Sequence, residues 1–432
     1  MLRFMTRPFE TLLGWQARYG NVFTVRYTGF GTGVYVAEPE AIRELFTGDQ
    51  SDLLAGEANS FMEPVLGPHS VLVLDGREHL RQRKLLLPPF QGSRVASFRE
   101  VIREVAEREI SAWRPGRRLV LRERMRALTF EVICRAVFGV TDRALQERLR
   151  ITLAAVIDSS PIFMISAAAR TDLGPLSPGG RFARRLRAAD ALLLAEIERR
   201  RHVPDLEQRT DVLSLLLRAR DEDGNAMSAG ELRDELFTML GAGHETTSTG
   251  LAFAFELLLR NRPVLERLRG EIERGEDDSY LDAVVKESLR LRPVIDGAER
   301  TLTKPRTLAG WRLPPGVKIY PGILLTQMRP DLYPEPERFR PERFLDEGAE
   351  SYAWLPFGGG IRRCLGAALA QAEMAEVLRI AVPVVELRPV RADPDPIRMR
   401  GITLAPKHGV EVTVERVLGE VGAGRTPALA GA

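Results

Sequence analysis

The sequence predicts a mainly α protein with a small β-sheet region. Three observations carry that reading: many stretches place apolar residues at helical spacing, few segments alternate, and one helical pattern runs far longer than an ordinary element. Its 432 residues are 44% hydrophobic and 28% charged. That is the balance of a globular protein with enough core to enclose a cofactor. No linker divides the chain, so residues 1–418 are expected to form one domain, with the Gly/Ala-rich tail Gly419 to Ala432 disordered.

Charge and cysteine usage exclude several classes. Lys+Arg 62 against Asp+Glu 59 leaves a net +3, spread along the chain, which argues against a nucleic-acid partner. Only Cys134 and Cys364 occur, so no disulfide framework exists and a reducing cytoplasm is expected. Cys134, in TFEVICRAVFGV, reads as core. The first residues hold neither a signal-peptide core nor the roughly 18 apolar residues of a membrane span, so the expectation is a soluble protein with no membrane anchor.

The elements follow in chain order. After a short helix, Asn21 to Tyr27 alternates, TGFGTG turns and VYVA returns, a β-hairpin. DGREHLRQRKLLLPPF, Asp75 to Phe90, is a short helix stopped by Pro88. Its His79 and Arg83 share a face, while Arg81 and Lys84 point outward. Arg181 to Arg201 is amphipathic, with Leu186, Leu193 and Ile197 among arginines that read as a solvated face. It follows the loop Asp172 to Gly180.

Ser228 and Glu231 form a capping-box signature. Apolar periodicity then runs through Leu232, Leu236, Met239 and Leu240, resumes at Leu251, Phe255 and Leu258, and closes at Pro263. Such a helix is on the order of 50 Å long and must cross the body of the molecule. Its middle, Gly241 to Thr249, puts glycines and hydroxyl residues where helix formers are expected. A carboxylate such as Glu245 is costly there unless something uses or pairs it. A functional cluster and a local bend with threonines bonded to the preceding turn both fit. In YLDAVVKESLRLRP, Tyr280 to Pro293, the residues Leu281, Val284, Val285, Ser288 and Leu289 share one face. Glu287 and Arg290 are surface neighbours on that helix, an arrangement usually worth under about 1 kcal/mol. A second hairpin is expected over Trp311 to Ile319, turning at Pro314, Pro315 and Gly316.

The most specific segment is LPFGGGIRRCLGAALA, Leu355 to Ala370. Arg362, Arg363 and the start of a helix from Leu365 favour a thiolate at Cys364. Gly358, Gly359 and Gly360 would let the backbone pass close to a large flat ligand.

The spacing Phe357, Gly360, Arg362, Cys364, Gly366 resembles the haem-binding loop of the cytochrome P450 family, and the resemblance extends over nearly the whole chain. It implies the family's triangular, helix-rich fold and haem b (iron protoporphyrin IX) with Cys364 as the proximal iron ligand. A thiolate there pushes electron density onto iron and favours O–O cleavage. It further implies that His79, Arg83, Arg300 and Arg362 bind the haem propionates, with Phe357 near the sulfur and Gly358 and Gly366 in the cofactor loop. Ala242 and Gly243 let the long helix pass over the haem, and Glu245 and Thr246 deliver the protons that O–O cleavage needs. His244 faces another way and is given no role. Glu287, Arg290 and Arg343 match a buried structural network whose loss should abolish haem incorporation. Gln327 is a departure, since relatives often carry histidine there. By position, Phe61, Met62, Phe237, Leu240, Val294, Ile295 and Ile402 are candidates for lining the substrate pocket, and all are apolar or aromatic.

The implied activity is a haem-thiolate monooxygenase that hydroxylates or epoxidises a hydrophobic small molecule of terpenoid, steroid or fatty-acyl type, using O2. These 432 residues include no flavin or iron–sulfur segment, so electrons are expected from a separate ferredoxin or flavodoxin with its reductase. Arg81 and Lys84 suit docking of such an acidic partner. A monomer is expected. A hydrogen-peroxide-driven peroxygenase is the alternative enzyme, against which Glu245 and Thr246 argue, and a haem sensor or carrier without turnover is the alternative from another class.

Overall fold

Helices dominate the computed structural model, which describes residues 2–27, 31–157, 159–345 and 352–419. The expected disordered tail, apart from Gly419, lies outside the described residues. Those that position the site are α1 (Pro8–Tyr19), α2 (Pro39–Thr47), α3 (Gly76–Leu86), α4 (Ser93–Ser111), α5 (Leu121–Phe138), α6 (Ser160–Ile165), α7 (Ala167–Arg170), α8 (Pro178–Arg201), α9 (Ala229–Arg260), α10 (Ser279–Leu291) and α11 (Ala367–Val384).

Local chemistry sets the helix ends. The Ser228 side chain accepts from the Glu231 N–H and the Glu231 carboxylate accepts from the Ser228 N–H, the reciprocal cap predicted for α9. Its 32 residues run without a break through the glycine and hydroxyl segment. Thr246, Thr247 and Ser248 each donate to a carbonyl of the preceding turn, which satisfies the hydroxyls within the helix. α8 starts at Pro178, three residues before the predicted stretch, because Ser177 caps it by accepting from Gly180 N–H.

α9 is packed along α5 and also touches α8, α10 and α11. Small residues permit the approach. A β-carbon on Gly243 would come within 2.9 Å of Ile133 Cδ1 in α5, and one on Gly250 within 3.3 Å of Met374 Sδ in α11. Both helices contribute to one apolar core with Leu232, Leu236, Phe255, Val132 and Val137.

The main sheet has five strands in the order β1-β2-β5-β4-β3, with β1 Val22–Tyr27, β2 Gly31–Val36, β3 Leu53–Leu54, β4 Arg300–Leu302 and β5 Lys318–Pro321. β1 and β2 are the predicted hairpin, with Phe23 opposite Tyr35. The second predicted hairpin is corrected. Trp311–Leu313 pairs backward with Arg306–Leu308, turning at Ala309 and Gly310, both at positive φ. Lys318–Pro321 instead joins the main sheet, parallel to β2 and antiparallel to β4. Pro314, Pro315 and Gly316 therefore carry the chain between two sheets, a choice that local turn chemistry leaves open.

Behind this sheet lies a buried acid. The Tyr35 ring stacks on Tyr320 at 4.9 Å, and its hydroxyl lies 2.9 Å from the Tyr27 hydroxyl and 3.4 Å from Asp296 Oδ2. The other Asp296 oxygen has no partner. Burial, reinforced by the Glu299 carboxylate, pushes the Asp296 carboxyl up to about 7. Its folded pKa exceeds the unfolded value of 3.8, so the folded state holds the proton more tightly. This group's contribution to stability is greatest below the unfolded value, falls as pH rises toward the folded one, and is flat above it. Asp296→Asn is expected to raise the melting temperature at pH values above that window and to make its decline across the window shallower. An unchanged slope in thermal melts of wild type and variant would refute this account.

Candidate haem-binding site

Two glycine conformations shape the loop that presents Cys364. Gly358 and Gly360 lie at φ +64° and +60°, and the Cys364 N–H donates to Phe357 O at 2.9 Å. A short 3-10 turn, Gly360–Arg362, follows, and α11 begins at Ala367 with Gly366 at its cap. The expectation that all three glycines make room for a ligand is corrected. A β-carbon on Gly360 would sit 1.9 Å from Phe46 O, and one on Gly359 2.6 Å from the Phe46 ring, so these two admit α2. Gly358 and Gly366 have open space at the same position.

Cys364 offers accessible surface yet is densely enclosed, so that surface faces an internal hollow and not bulk water. Burial pushes the thiol up, and the Gly366 N–H, Arg363 and Arg83 lower it by less. The thiolate predicted from neighbouring arginines is therefore corrected. Arg362 is turned away, donating to Asp75 Oδ1 and Leu74 O at 2.6 Å each and to Val71 O at 3.1 Å. The sulfur needs a bonded cation to ionise, which a coordinated metal provides.

His79 and Arg83, from one helix, come together with Arg300 and Arg362 from distant parts of the chain. His79 is 1% exposed. Burial first, then Arg362, Arg83 and Arg300, push it down to about 3, so this member of the cluster is neutral and not cationic. Arg83 donates to Arg363 O at 2.7 Å. Arg300, 2% exposed, spends Nη1 on Ala298 O and Glu299 O while Nε and Nη2 have no partner. Burial pushes its guanidinium down to about 10. Orphaned buried guanidinium nitrogens beside a neutral imidazole suit an incoming carboxylate.

On α9, Ala242 is exposed in the middle of a buried helix, so it borders a hollow. Thr246 Oγ1 donates to Ala242 O at 2.6 Å. Gly243 faces α5 instead, so its smallness serves helix packing. Glu245 is held by Arg122, by Arg126 at 3.2 Å and by Arg400 at 3.6 Å. Neutral His244 is buried, bonded to Leu240 O and edge-on to Phe130.

The pair predicted on α10 is fully buried. Arg290 meets Glu287 with two bonds, 2.6 and 2.9 Å, and Arg343 Nε reaches the same carboxylate at 3.2 Å. Arg290 also donates to Gln327 O and Pro336 O. The Gln327 side chain accepts from Leu355 N–H at 2.9 Å and donates to Arg290 O at 2.8 Å. It thereby fastens the network to the start of the cysteine loop.

Comparison with known proteins agrees with this geometry. The family model described as Cytochrome P450 matches residues 3–411. This chain is a cytochrome P450. Cytochrome P450 135B1 of Mycobacterium tuberculosis is 41% identical over 418 residues, 96% of this chain and 87% of that protein. Cytochrome P450 138 of Mycobacterium bovis is 37% identical over 400 residues, 92% and 90% of the two chains. The retinoic acid-bound cyanobacterial CYP120A1 superposes with TM-score 0.82 at 26% identity, covering 94% of each chain. The haem domain of cytochrome P450DA shares the fold at TM-score 0.84 and 21% identity, over 95% of this chain and 94% of that one. As a P450, the protein is a haem monooxygenase that uses O2 and takes electrons from a redox partner. Among the described residues no helix is long and apolar enough to cross a membrane.

The remaining positions of this P450 are divided. Phe61 and Ile295 keep partial exposure and Ile402 is 46% exposed, whereas Met62 and Val294 are buried. Phe237 and Leu240 are sealed in the core at 1% and 0%, with the Arg233 guanidinium over the Phe237 ring. They therefore line no open space. Arg81 and Lys84 are corrected as a docking patch, because Arg81 pairs with Asp221 and Glu231 and Lys84 with Glu222. A surface cleft of about 850 Å³ beside Glu44 and Trp311 contains none of the predicted site residues. Arg122 and Asp75 were missed. Their charged partners, Glu245 and Arg362, lie more than a hundred residues away, and nothing in the local sequence announces them.

Proposed function

We propose that this P450 hydroxylates or epoxidises a hydrophobic small molecule of terpenoid, steroid or fatty-acyl type, using haem b ligated by Cys364. The observation that carries the assignment is the pairing of an inward-facing Cys364 with the orphaned Arg300 guanidinium. One side chain suits iron and the other a propionate. When bound, the haem supplies the oxygen-activating iron centre.

The protein's own residues would then act as follows. Arg300, Arg83 and neutral His79 bind and orient the propionates, with Arg362 holding the loop Val71–Asp75 beside them. Ala242 gives the closest helical approach. Thr246 holds its hydroxyl at the hollow, with its proton on Ala242 O and its lone pairs free to accept. Glu245, between buried Arg122 and the partly exposed Arg400, connects that position to the protein surface. Besides Cys364 these 432 residues contain only Cys134, too few thiolates for the usual four-cysteine iron–sulfur cluster. Electrons are therefore assigned to a ferredoxin or flavodoxin with its reductase.

Thr246→Ala is expected to lower product per electron pair consumed by about a hundredfold, the low end of what losing a general acid–base group costs. Oxygen and NADPH consumption measured beside product, with a surrogate redox chain, reads this directly. An unchanged coupling ratio would remove Thr246 from the relay and favour the peroxide-driven alternative.

A further inference from the structure

The buried acid behind the main sheet has a second carboxyl beside it. Glu299, the residue before β4, keeps partial exposure yet is densely enclosed, so its accessible surface faces an internal hollow. Among the described residues its carboxyl accepts only from its own N–H. Asp296 is 7% exposed with Oδ1 unpartnered, and it lies close enough for the Glu299 charge to act on it. The nearest cations do not close the site. Lys318 Nζ donates to Ala58 O at 3.3 Å, and Arg300 Nη1 donates to Ala298 O and Glu299 O at 2.9 Å each. Among the described residues neither forms an ion pair with the two carboxyls.

Aromatic rings border the same place. A β-carbon on Gly33 would come within 2.4 Å of Tyr320 Cε2, so glycine there lets the Tyr320 ring lie across β2. The Tyr27 ring meets it at 60°, with centroids 6.0 Å apart, and both tyrosines stay partly exposed. Gly297 touches ring and acid alike: a β-carbon on it would be 3.5 Å from Tyr320 Cδ1 and 3.8 Å from Glu299 Oε1. Two carboxyls without a counter-charge, beside two tyrosine rings, fit a cation. The rings favour an alkylated ammonium over a hydrated metal ion, because ammonium can shed its water against an aromatic face. Burial pushes both carboxyls up, a direction that an entering cation reverses.

We propose that Glu299 and Asp296, with the Tyr27 and Tyr320 rings, bind the ammonium group of the substrate, an apolar molecule carrying a basic nitrogen. At most about 14 Å of chain separates Glu299 from the pocket candidate Ile295, a distance that a long alkyl body spans. This assignment rests on the apolar-substrate reading above and narrows it to cationic amphiphiles.

Dodecyltrimethylammonium, kept below its micelle concentration, is the probe, because its nitrogen has no lone pair and cannot ligate iron. In equilibrium dialysis with the holoenzyme at mildly alkaline pH it should bind about tenfold or more tighter than dodecanol or laurate, and it should shift the ferric haem spectrum. Glu299→Gln should remove that preference while dodecanol affinity and the reduced carbon monoxide spectrum stay as in wild type. Tyr320→Leu should weaken ammonium binding, and Tyr320→Phe, which keeps the ring, should retain it. Wild type that binds the three probes equally, or a preference that survives Glu299→Gln, overturns the proposal. Ammonium binding that leaves the ferric spectrum unmoved places the cation outside the substrate pocket and overturns its role as the substrate's anchor. Any of these failures with an intact carbon monoxide spectrum leaves the monooxygenase reading standing.

Discussion

Cys364→Ser is expected to abolish the strongly red-displaced absorption of the reduced, carbon monoxide-bound protein, and monooxygenase turnover with it. The expectation extends to protons. Burial dominates the thiol in the protein without metal, so Cys364 enters ligation protonated and must lose its proton on bonding a cation. Adding haem to haem-free protein near neutral pH, in weak buffer with a pH indicator, should release close to one proton per site in the wild type. The serine variant should release none from this position. A red-displaced band that survives the substitution would remove Cys364 from the iron. A wild type that releases no proton would mean that Arg363 and the Gly366 N–H already hold the thiolate against burial.

Glu287→Ala is expected to have the largest effect on folding. The carboxylate accepts from Arg290, Arg343 and the Arg340 N–H, and both Glu287 and Arg290 are 0% exposed. Removing it leaves one guanidinium fully buried and a second nearly so without a counter-charge, which costs about 3–5 kcal/mol. The loss spreads because Arg290 also holds Gln327 O, and Gln327 holds Leu355 at the entrance of the cysteine loop. The haem-to-protein ratio should fall together with denaturant stability. Arg290→Lys keeps the charge and loses the two-bonded fork, so it should lie between wild type and Glu287→Ala on both measures. Wild-type haem content in Glu287→Ala would show that the network does not support the loop.

The helical elements were readable where periodicity and end signals agreed. Ser228 with Glu231 announced α9, and Pro88 follows the end of α3 as expected, whereas α9 already ends at Arg260 and Pro263 stands in the first turn of the next helix. Pairing among strands was less legible, because Trp311–Leu313 and Lys318–Pro321 look like two arms of one hairpin until the parallel partner β2 is present. The Cys364 loop was readable as a motif, yet the reason for two of its glycines was not. Gly359 and Gly360 yield to Phe46, some three hundred residues earlier in the chain.

By itself the sequence determined which residue types were available for the chemistry and where the helices run, because capping, periodicity and the cysteine-loop spacing are short-range properties. Only the tertiary structure decided their electrostatic state. It buried Cys364 enough to keep the thiol protonated, neutralised His79 among three arginines, turned Arg362 toward Asp75, and clasped Glu245 with Arg122, Arg126 and Arg400. Desolvation and charge pairing depend on which distant segments pack together, and that is set by the folded core and not by neighbours along the chain.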